Sequence, residues 1–240
     1  MKAIYEPKGK AKEYAELAVN LYSGCPHKCL YCFAPKIAHK KPGDFHRNVK
    51  VRDKIIEKID HDCIELAGLE QPPILLCFIC DPYPHGYETT VTRQAIETIK
   101  RYELNFTVLT KAGEAAERDF DLYEDGDSFG CTLTLASSWE SEAGSHYGRV
   151  MALFHAQERG IQTWASLEPV IYPKRTLRII ERTAPFVDHY KLGKLNYHPH
   201  AKTIDWADFT KRAVELLESL SKSYYVKESL REYLPEVNGE

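Results

Sequence analysis

Six short apolar runs with strand character recur along the chain: Leu17 to Tyr22, Ile74 to Ile79, Phe106 to Leu109, Cys131 to Leu135, Gln162 to Leu167 and His189 to Leu192. Their starts lie about 25 to 57 residues apart, the length of a strand, a helix and two loops. Helical patterns fill the intervals. Val91, Ala95, Ile96 and Ile99 follow the 3.6 period, as do Val150, Leu153 and Phe154 ahead of Gly160, which suits a helix C′ position. A helix is expected from about Arg52 to Ala67, and an apolar stripe from Trp206 to Leu220 has Asp205 as its N-cap. Strands alternating with helices predict an α/β fold with a parallel sheet, either open and doubly wound or closed into a partial barrel. In both, the working residues belong at the C-terminal ends of the strands.

The chain has 240 residues, 43% hydrophobic and 28% charged, which fits a globular domain and excludes a disordered or collagen-like one. It contains no run of 18 apolar residues, so no membrane partner is expected. The N-terminus lacks the apolar core of a signal peptide, which predicts a cytoplasmic protein. The net charge of −3 exerts no general pull on nucleic acid, but Lys36 to Lys58 is locally basic and is a candidate patch for an anionic partner.

Seven cysteines, an odd number, argue against a secreted disulfide framework and for a reduced protein with a thiolate site. Three of them, Cys25, Cys29 and Cys32, form C-x3-C-x2-C in NLYSGCPHKCLYCFAPK. Soft thiolates on one loop suit zinc or three corners of a 4Fe-4S cluster. A structural zinc site needs a fourth protein ligand, and His27, lying between two of the cysteines, is poorly placed to close a tetrahedron. Three ligands leave one iron open to a cofactor or substrate.

This motif, with Tyr31 just before its last cysteine, resembles the signature of the radical S-adenosylmethionine superfamily. The segments CDPYPHGYETTVTRQAIETI, FTVLTKAG and ERDFDLY resemble its spore photoproduct lyase and DNA repair photolyase-like branch, a likeness running from about Asn20 to Asp121. The resemblance implies a partial (β/α)6 barrel with parallel strands, a minimal radical SAM core. It also implies a 4Fe-4S cluster on Cys25, Cys29 and Cys32, with S-adenosyl-L-methionine chelating the open iron. Reductive cleavage then yields a 5′-deoxyadenosyl radical that abstracts hydrogen from a substrate. The expected organisation is a single domain over 1–240, with a core barrel from about 16 to 200 and a C-terminal helical segment from about 205 to 234. The tail beyond Ser219 is expected to pack across the barrel's open edge.

Within that resemblance, Tyr31 is placed near the adenine, Asp81 on the cofactor's amine and Lys111 on its carboxylate. Thr132 and Thr134 offer hydroxyls to the ribose. The lyase-like branch uses a cysteine hydrogen-atom donor near the end of the second strand, which draws attention to Cys77 and Cys80. Strand alternation directs these two to opposite faces, so they read as buried small hydrophobes. Tyr83 and Tyr22 are the alternative donors. Glu168, ending the fifth strand, departs from the branch's apolar pattern and needs a cation, the cofactor's ribose or the substrate, with Lys191, Lys194 and Asn196 as candidate partners.

The function expected is that of a radical SAM enzyme with lyase-like or other radical-transforming activity, acting on a substrate that includes nucleic-acid lesions among its candidates. Its partner would be an electron donor such as flavodoxin or ferredoxin. The competing expectation is a non-catalytic iron-sulfur or zinc protein that binds a partner.

Overall fold

In the computed structural model, which describes residues 2–234, eight strands form one sheet in the order of the chain. They are β1 (Ile4–Tyr5), β2 (Leu17–Val19), β3 (Ile74–Leu76), β4 (Phe106–Thr110), β5 (Ser128–Thr132), β6 (Gln162–Val170), β7 (His189–Lys194) and β8 (Ser223–Val226). All neighbours pair in parallel except β1, which runs antiparallel to β2. The first and last strands do not pair, so the sheet is a partial barrel rather than a closed one. The six expected strands correspond to β2 through β7.

Helices connect the strands in the expected alternation. Between β2 and β3 lie α1 (Ala34–Ile37), α2 (Pro42–Arg47) and α3 (Ile55–Leu66). Then α4 (Thr90–Arg101) follows β3, a 3-10 stretch (Gly113–Leu122) follows β4, α5 (His146–Glu158) follows β5, and α6 (Pro173–Thr183) follows β6. The chain ends with α7 (Trp206–Ser219) before β8 and α8 (Glu228–Arg231) after it. Asp205 caps α7 by accepting a hydrogen bond from the Asp208 amide at 3.0 Å. Gly160 has φ +77° after α5, a left-handed conformation that glycine adopts without a Cβ penalty.

The register separates two faces. One row, Cys131, Ala165, Tyr190 and Tyr224, belongs to the side packed against the helices, where Leu76, Val108, Phe129, Leu167 and Leu192 form the core. The next row along, Thr132, Ser166, Lys191 and Tyr225, faces the concave interior and is polar. Burial of the apolar rows at roughly 25 cal/mol per Å² stabilises the barrel wall.

Two expectations about the strands are corrected. The second and fourth predicted strands stop early, at Leu76 and Thr132, so Cys77 through Ile79 and Thr134 lie in loops. The reason at β3 is local: Cys77 adopts φ +67°, and the side-chain oxygen of Asn20 accepts the amides of Phe78 (3.0 Å) and Ile79 (2.9 Å) in place of a ladder partner. The C-terminal segment is also not purely helical. SYYV, rich in aromatic and β-branched residues, extends the sheet as β8 beside β7 rather than crossing its open edge.

The gap between the outer strands is spanned by the N-terminal segment. Glu13 accepts from the Glu228 amide at 2.7 Å and lies 3.3 Å from the Tyr225 hydroxyl. From inside, Lys191 Nζ donates to the carbonyls of Glu13 (3.2 Å) and Tyr14 (2.8 Å).

Candidate active site

The three motif cysteines sit on the loop that leaves β2, at the C-terminal mouth of the barrel. All three are free and half-buried. The Cys32 amide closes a turn on the Cys29 carbonyl at 3.0 Å, the Leu30 amide reaches the Trp139 carbonyl at 2.9 Å, and His46 Nδ1 lies 2.8 Å from the Cys25 carbonyl. Burial pushes all three thiols upward, Cys29 to about 11, with Lys111 opposing at Cys29 and Cys32. Metal binding must therefore displace protons, the usual linkage for thiolate ligands.

Among the described residues, no three His, Cys, Asp or Glu side chains converge closely enough to hold a single metal ion. A zinc tetrahedron would need a fourth ligand beside the three thiols, and His27 is engaged elsewhere: its Nδ1 lies 3.5 Å from Asp81 Oδ2, and its Nε2 is buried without a partner. Three soft sulfurs on one loop, an adjacent cation and an unpaired buried donor or acceptor fit a larger polynuclear group and its ligand.

Behind the loop lies a buried polar network that sequence reasoning missed. The Tyr31 hydroxyl donates to Glu140, whose second oxygen accepts from Arg149 Nη1 at 2.7 Å. Arg149, only 1% exposed, also donates to the carbonyls of Lys111 (3.1 Å), Gly144 (3.0 Å) and Thr132 (2.9 Å). One guanidinium thus ties the ends of β4 and β5 to the cysteine loop. Burial opposes ionisation of Glu140, but Arg149 and Lys111 outweigh it and hold its pKa below the ordinary value. Glu140 and Arg149 stand in no recognisable motif, and only folding brings them together.

Lys111 directly follows β4, with its Nζ 3.4 Å from Thr132 Oγ1 and 5.8 Å from the Tyr31 ring centroid. Burial disfavours its charge, yet Cys29 and Glu140 raise its pKa overall, so the ammonium persists beside the thiols. Asp81 is filled by other donors: Thr110 Oγ1 at 2.6 Å, the Tyr83 amide at 2.9 Å and the Lys111 amide at 2.8 Å. These three donors leave one of the carboxylate's roughly four acceptor positions for a further donor. Thr134 is buried just past β5, its hydroxyl 3.4 Å from the Ala136 amide.

The remaining candidates separate. Tyr83 points away from the loop and donates to Asp119 at 3.1 Å, and Tyr22 is buried against Thr92 at 3.2 Å. The expectation that Cys77 and Cys80 face opposite ways loses its basis: both lie past the end of β3, Cys77 is in the left-handed region, and strand alternation no longer applies to them. Cys80 Sγ lies 3.8 Å from Asn20 Oδ1.

Glu168 does meet a cation, but none of those expected. Lys191 is taken by the N-terminal carbonyls, Lys194 Nζ donates to Tyr233 at 2.8 Å, and Asn196 donates to the Lys194 carbonyl at 2.8 Å. The partner is Lys227, just after β8, with its Nζ 2.6 Å from Glu168 and 3.7 Å from the Tyr14 ring centroid. The Tyr14 hydroxyl donates to Glu168 as well and lies 3.1 Å from Ser166 Oγ.

No family model matches the chain. An uncharacterized protein of Methanocaldococcus jannaschii is 28% identical over 193 residues, which are 76% of this chain and 71% of that protein. Among solved structures, a spore photoproduct lyase double mutant with bound AdoMet and dinucleoside spore photoproduct superimposes with a TM-score of 0.71, over 92% of this chain and 78% of that one, at 16% identity. The chain has the spore photoproduct lyase fold. SuiB of Streptococcus suis, solved bound to S-adenosylmethionine, gives a TM-score of 0.67 over 93% of this chain and 53% of SuiB, at 11% identity. The likeness read from the sequence to radical S-adenosylmethionine proteins therefore extends to the architecture. Within this lyase fold the cysteine loop, Lys111 and Thr132 share one mouth, while Glu168 and Lys227 face the interior from β6 and the end of β8. No helix among the described residues is long and apolar enough to cross a membrane.

Proposed function

We propose that the chain is a radical S-adenosylmethionine enzyme. The observation that carries this reading is the placement of Cys25, Cys29 and Cys32 on one loop at the mouth of a partial barrel, braced through Tyr31, Glu140 and Arg149. In this reading the three thiolates hold a 4Fe-4S cluster, and Lys111 presents an ammonium to the cofactor's carboxylate. Thr132 and Thr134 would offer hydroxyls to its ribose, and Tyr31 would lie near its adenine. Asp81 holds the loop after β4 so that Lys111 points inward. When bound, the cluster and S-adenosyl-L-methionine supply a 5′-deoxyadenosyl radical by one-electron reduction, and the protein's part is to position them and exclude water.

The substrate would enter the polar interior lined by Tyr14, Ser166, Glu168 and Lys227. A nucleic-acid lesion is the class favoured by the aromatic rim, where Trp139 lies 4.6 Å from His198 and 5.7 Å from His200 between ring centroids, since such rings stack on bases. That a structure of this fold holds a dinucleoside spore photoproduct supports the same reading.

The test is anaerobic reconstitution with iron and sulfide, reduction by dithionite and addition of S-adenosylmethionine. Formation of 5′-deoxyadenosine is expected. Its absence with an intact cluster rejects the enzyme reading, and stoichiometric zinc in protein purified without oxygen would favour a binding protein instead. Oligonucleotide affinity measured at two salt concentrations tests the substrate class, because phosphate contacts weaken steeply with salt.

A further inference from the structure

The barrel has a second concavity, at the end opposite the cysteine loop. A cavity of about 400 Å³ opens among the N-terminal ends of the strands, where Ser128 starts β5, Gln162 starts β6 and His189 starts β7. That volume is ample for a small molecule. The N-terminal segment from Lys12 to Glu16 lines one part of it, and Pro72 and Pro73, just ahead of β3, line another.

Its polar groups are held in place by the fold. Trp164 lies across Gly130 of β5, where a Cβ would come within 2.4 Å of the indole, and its Nε1 donates to Thr107 Oγ1 at 3.1 Å. The Thr107 and Ser128 hydroxyls share one hydrogen bond at 2.7 Å. Whichever of them donates, the other's hydrogen has no acceptor among the described residues. Lys191 Nζ carries three hydrogens and gives two to the carbonyls of Glu13 and Tyr14, so one is left without an oxygen acceptor among the described residues. The same ammonium stands 5.3 Å from the Trp164 ring centroid. Burial, followed by Lys227, lowers its pKa to about 8, which leaves it charged at pH 7. The other lining charges are spoken for. Lys12 and Glu16 are exposed on the rim and opposite in sign, and the Glu13 carboxylate accepts from the Glu228 amide at 2.7 Å and lies 3.9 Å from Lys227. His189 is driven toward its neutral form by burial and then by Lys191.

We infer that this cavity is a binding site for a small aromatic monocarboxylate, whose ring packs against Trp164 and the two prolines and whose carboxylate accepts from Lys191 and from the spare hydroxyl of the Thr107–Ser128 pair. One ammonium with one spare hydrogen matches a single negative charge. A phosphate dianion would bring a second charge out of water without a partner. Tyr14 lines the cavity and also bonds Ser166 and Glu168, so an occupant adjoins the barrel interior without sharing the mouth that carries the cysteines.

The probe is sodium benzoate, titrated by calorimetry into the full chain at pH 7 with no cluster or cofactor needed. A Kd of about 1 mM or tighter is expected for a ligand of this size. Benzyl alcohol, similar in shape but uncharged, should bind at least about tenfold more weakly, and inorganic phosphate should not displace benzoate. Lys191→Met removes the ammonium, and Gln162→Trp fills the cavity from its exposed rim; each should weaken benzoate at least about tenfold. Gln162 is exposed at the first position of its strand, so that variant decides the matter if Lys191→Met does not fold. Absence of binding at about 20 mM benzoate overturns the inference. So does wild-type benzoate affinity in either folded variant, which would put the ligand elsewhere. Benzyl alcohol binding as tightly as benzoate, or displacement of benzoate by phosphate, overturns the ligand class.

Discussion

Lys227, from the segment after β8, places its ammonium 2.6 Å from the carboxylate of Glu168 on β6 and so links the last strand to the barrel interior. Lys227 is almost wholly buried, so the pair is a mutual requirement. Removing one partner of such a pair typically costs about 3–5 kcal/mol, because the other charge is stranded. We expect Lys227→Met to lower the denaturation midpoint sharply, and Lys227→Met with Glu168→Gln to recover part of the loss. A double variant no more stable than the single one would show that the pair is not coupled.

The Arg149 network predicts a graded series. Arg149→Met strands the buried carboxylate of Glu140 and frees three carbonyls, for a loss of about 3–5 kcal/mol. Tyr31→Phe removes one hydroxyl from the same network and should cost about 1–2 kcal/mol. Equal losses for the two variants in urea denaturation would contradict the central role of Arg149.

His146 titrates with a defined sign. Burial, followed by the Arg149 guanidinium, lowers its pKa to about 4, with Glu140 opposing, and neither ring nitrogen has a hydrogen-bond partner. The unfolded chain, with an ordinary histidine, binds the proton first. Stability should therefore fall as pH drops from about 6.5 toward 4, by up to roughly 1.4 kcal/mol per pH unit. His146→Leu should flatten that limb, and denaturation curves at pH 7, 6 and 5 measure it. An unchanged slope would remove His146 from the account.

Cys29→Ala in reconstituted protein should abolish both the visible absorbance and cofactor cleavage. Lys111→Met should leave the absorbance and weaken S-adenosylmethionine binding at least about tenfold, the expected loss of a charge-assisted contact. Calorimetric titration of the cofactor separates the two. A Lys111→Met protein that binds S-adenosylmethionine as tightly as the wild type would displace Lys111 from the site.

Close spacing made the cysteine triad legible, since three soft ligands within one loop are neighbours in any fold. Lys111 and Thr132 were legible for a related reason: one directly follows a parallel strand, the other ends one, and strand ends meet at one mouth. Asp81 was expected at the end of the second strand; it lies in the loop beyond β3, and its partners Thr110 and Lys111, at the end of the next strand, were invisible. The alternation argument for Cys77 and Cys80 failed because it presumes a continuous strand, and β3 ends at Leu76 with a left-handed residue at Cys77.

By itself, the sequence determined the α/β alternation, the parallel sheet and the thiolate loop, because these follow from periodicity and short-range spacing. Only the tertiary structure decided which charges meet. Lys227 lies in a four-residue strand's flank too short to be read, and Gly193 on β7 lets Glu168 sit where a Cβ would lie 2.5 Å from its carboxyl carbon. Glu140 and Arg149 are likewise joined through the space between a loop and a helix. The physical reason is common to both pairs: desolvation makes a buried charge costly unless it is paired, and pairing across elements depends on packing that no local pattern encodes.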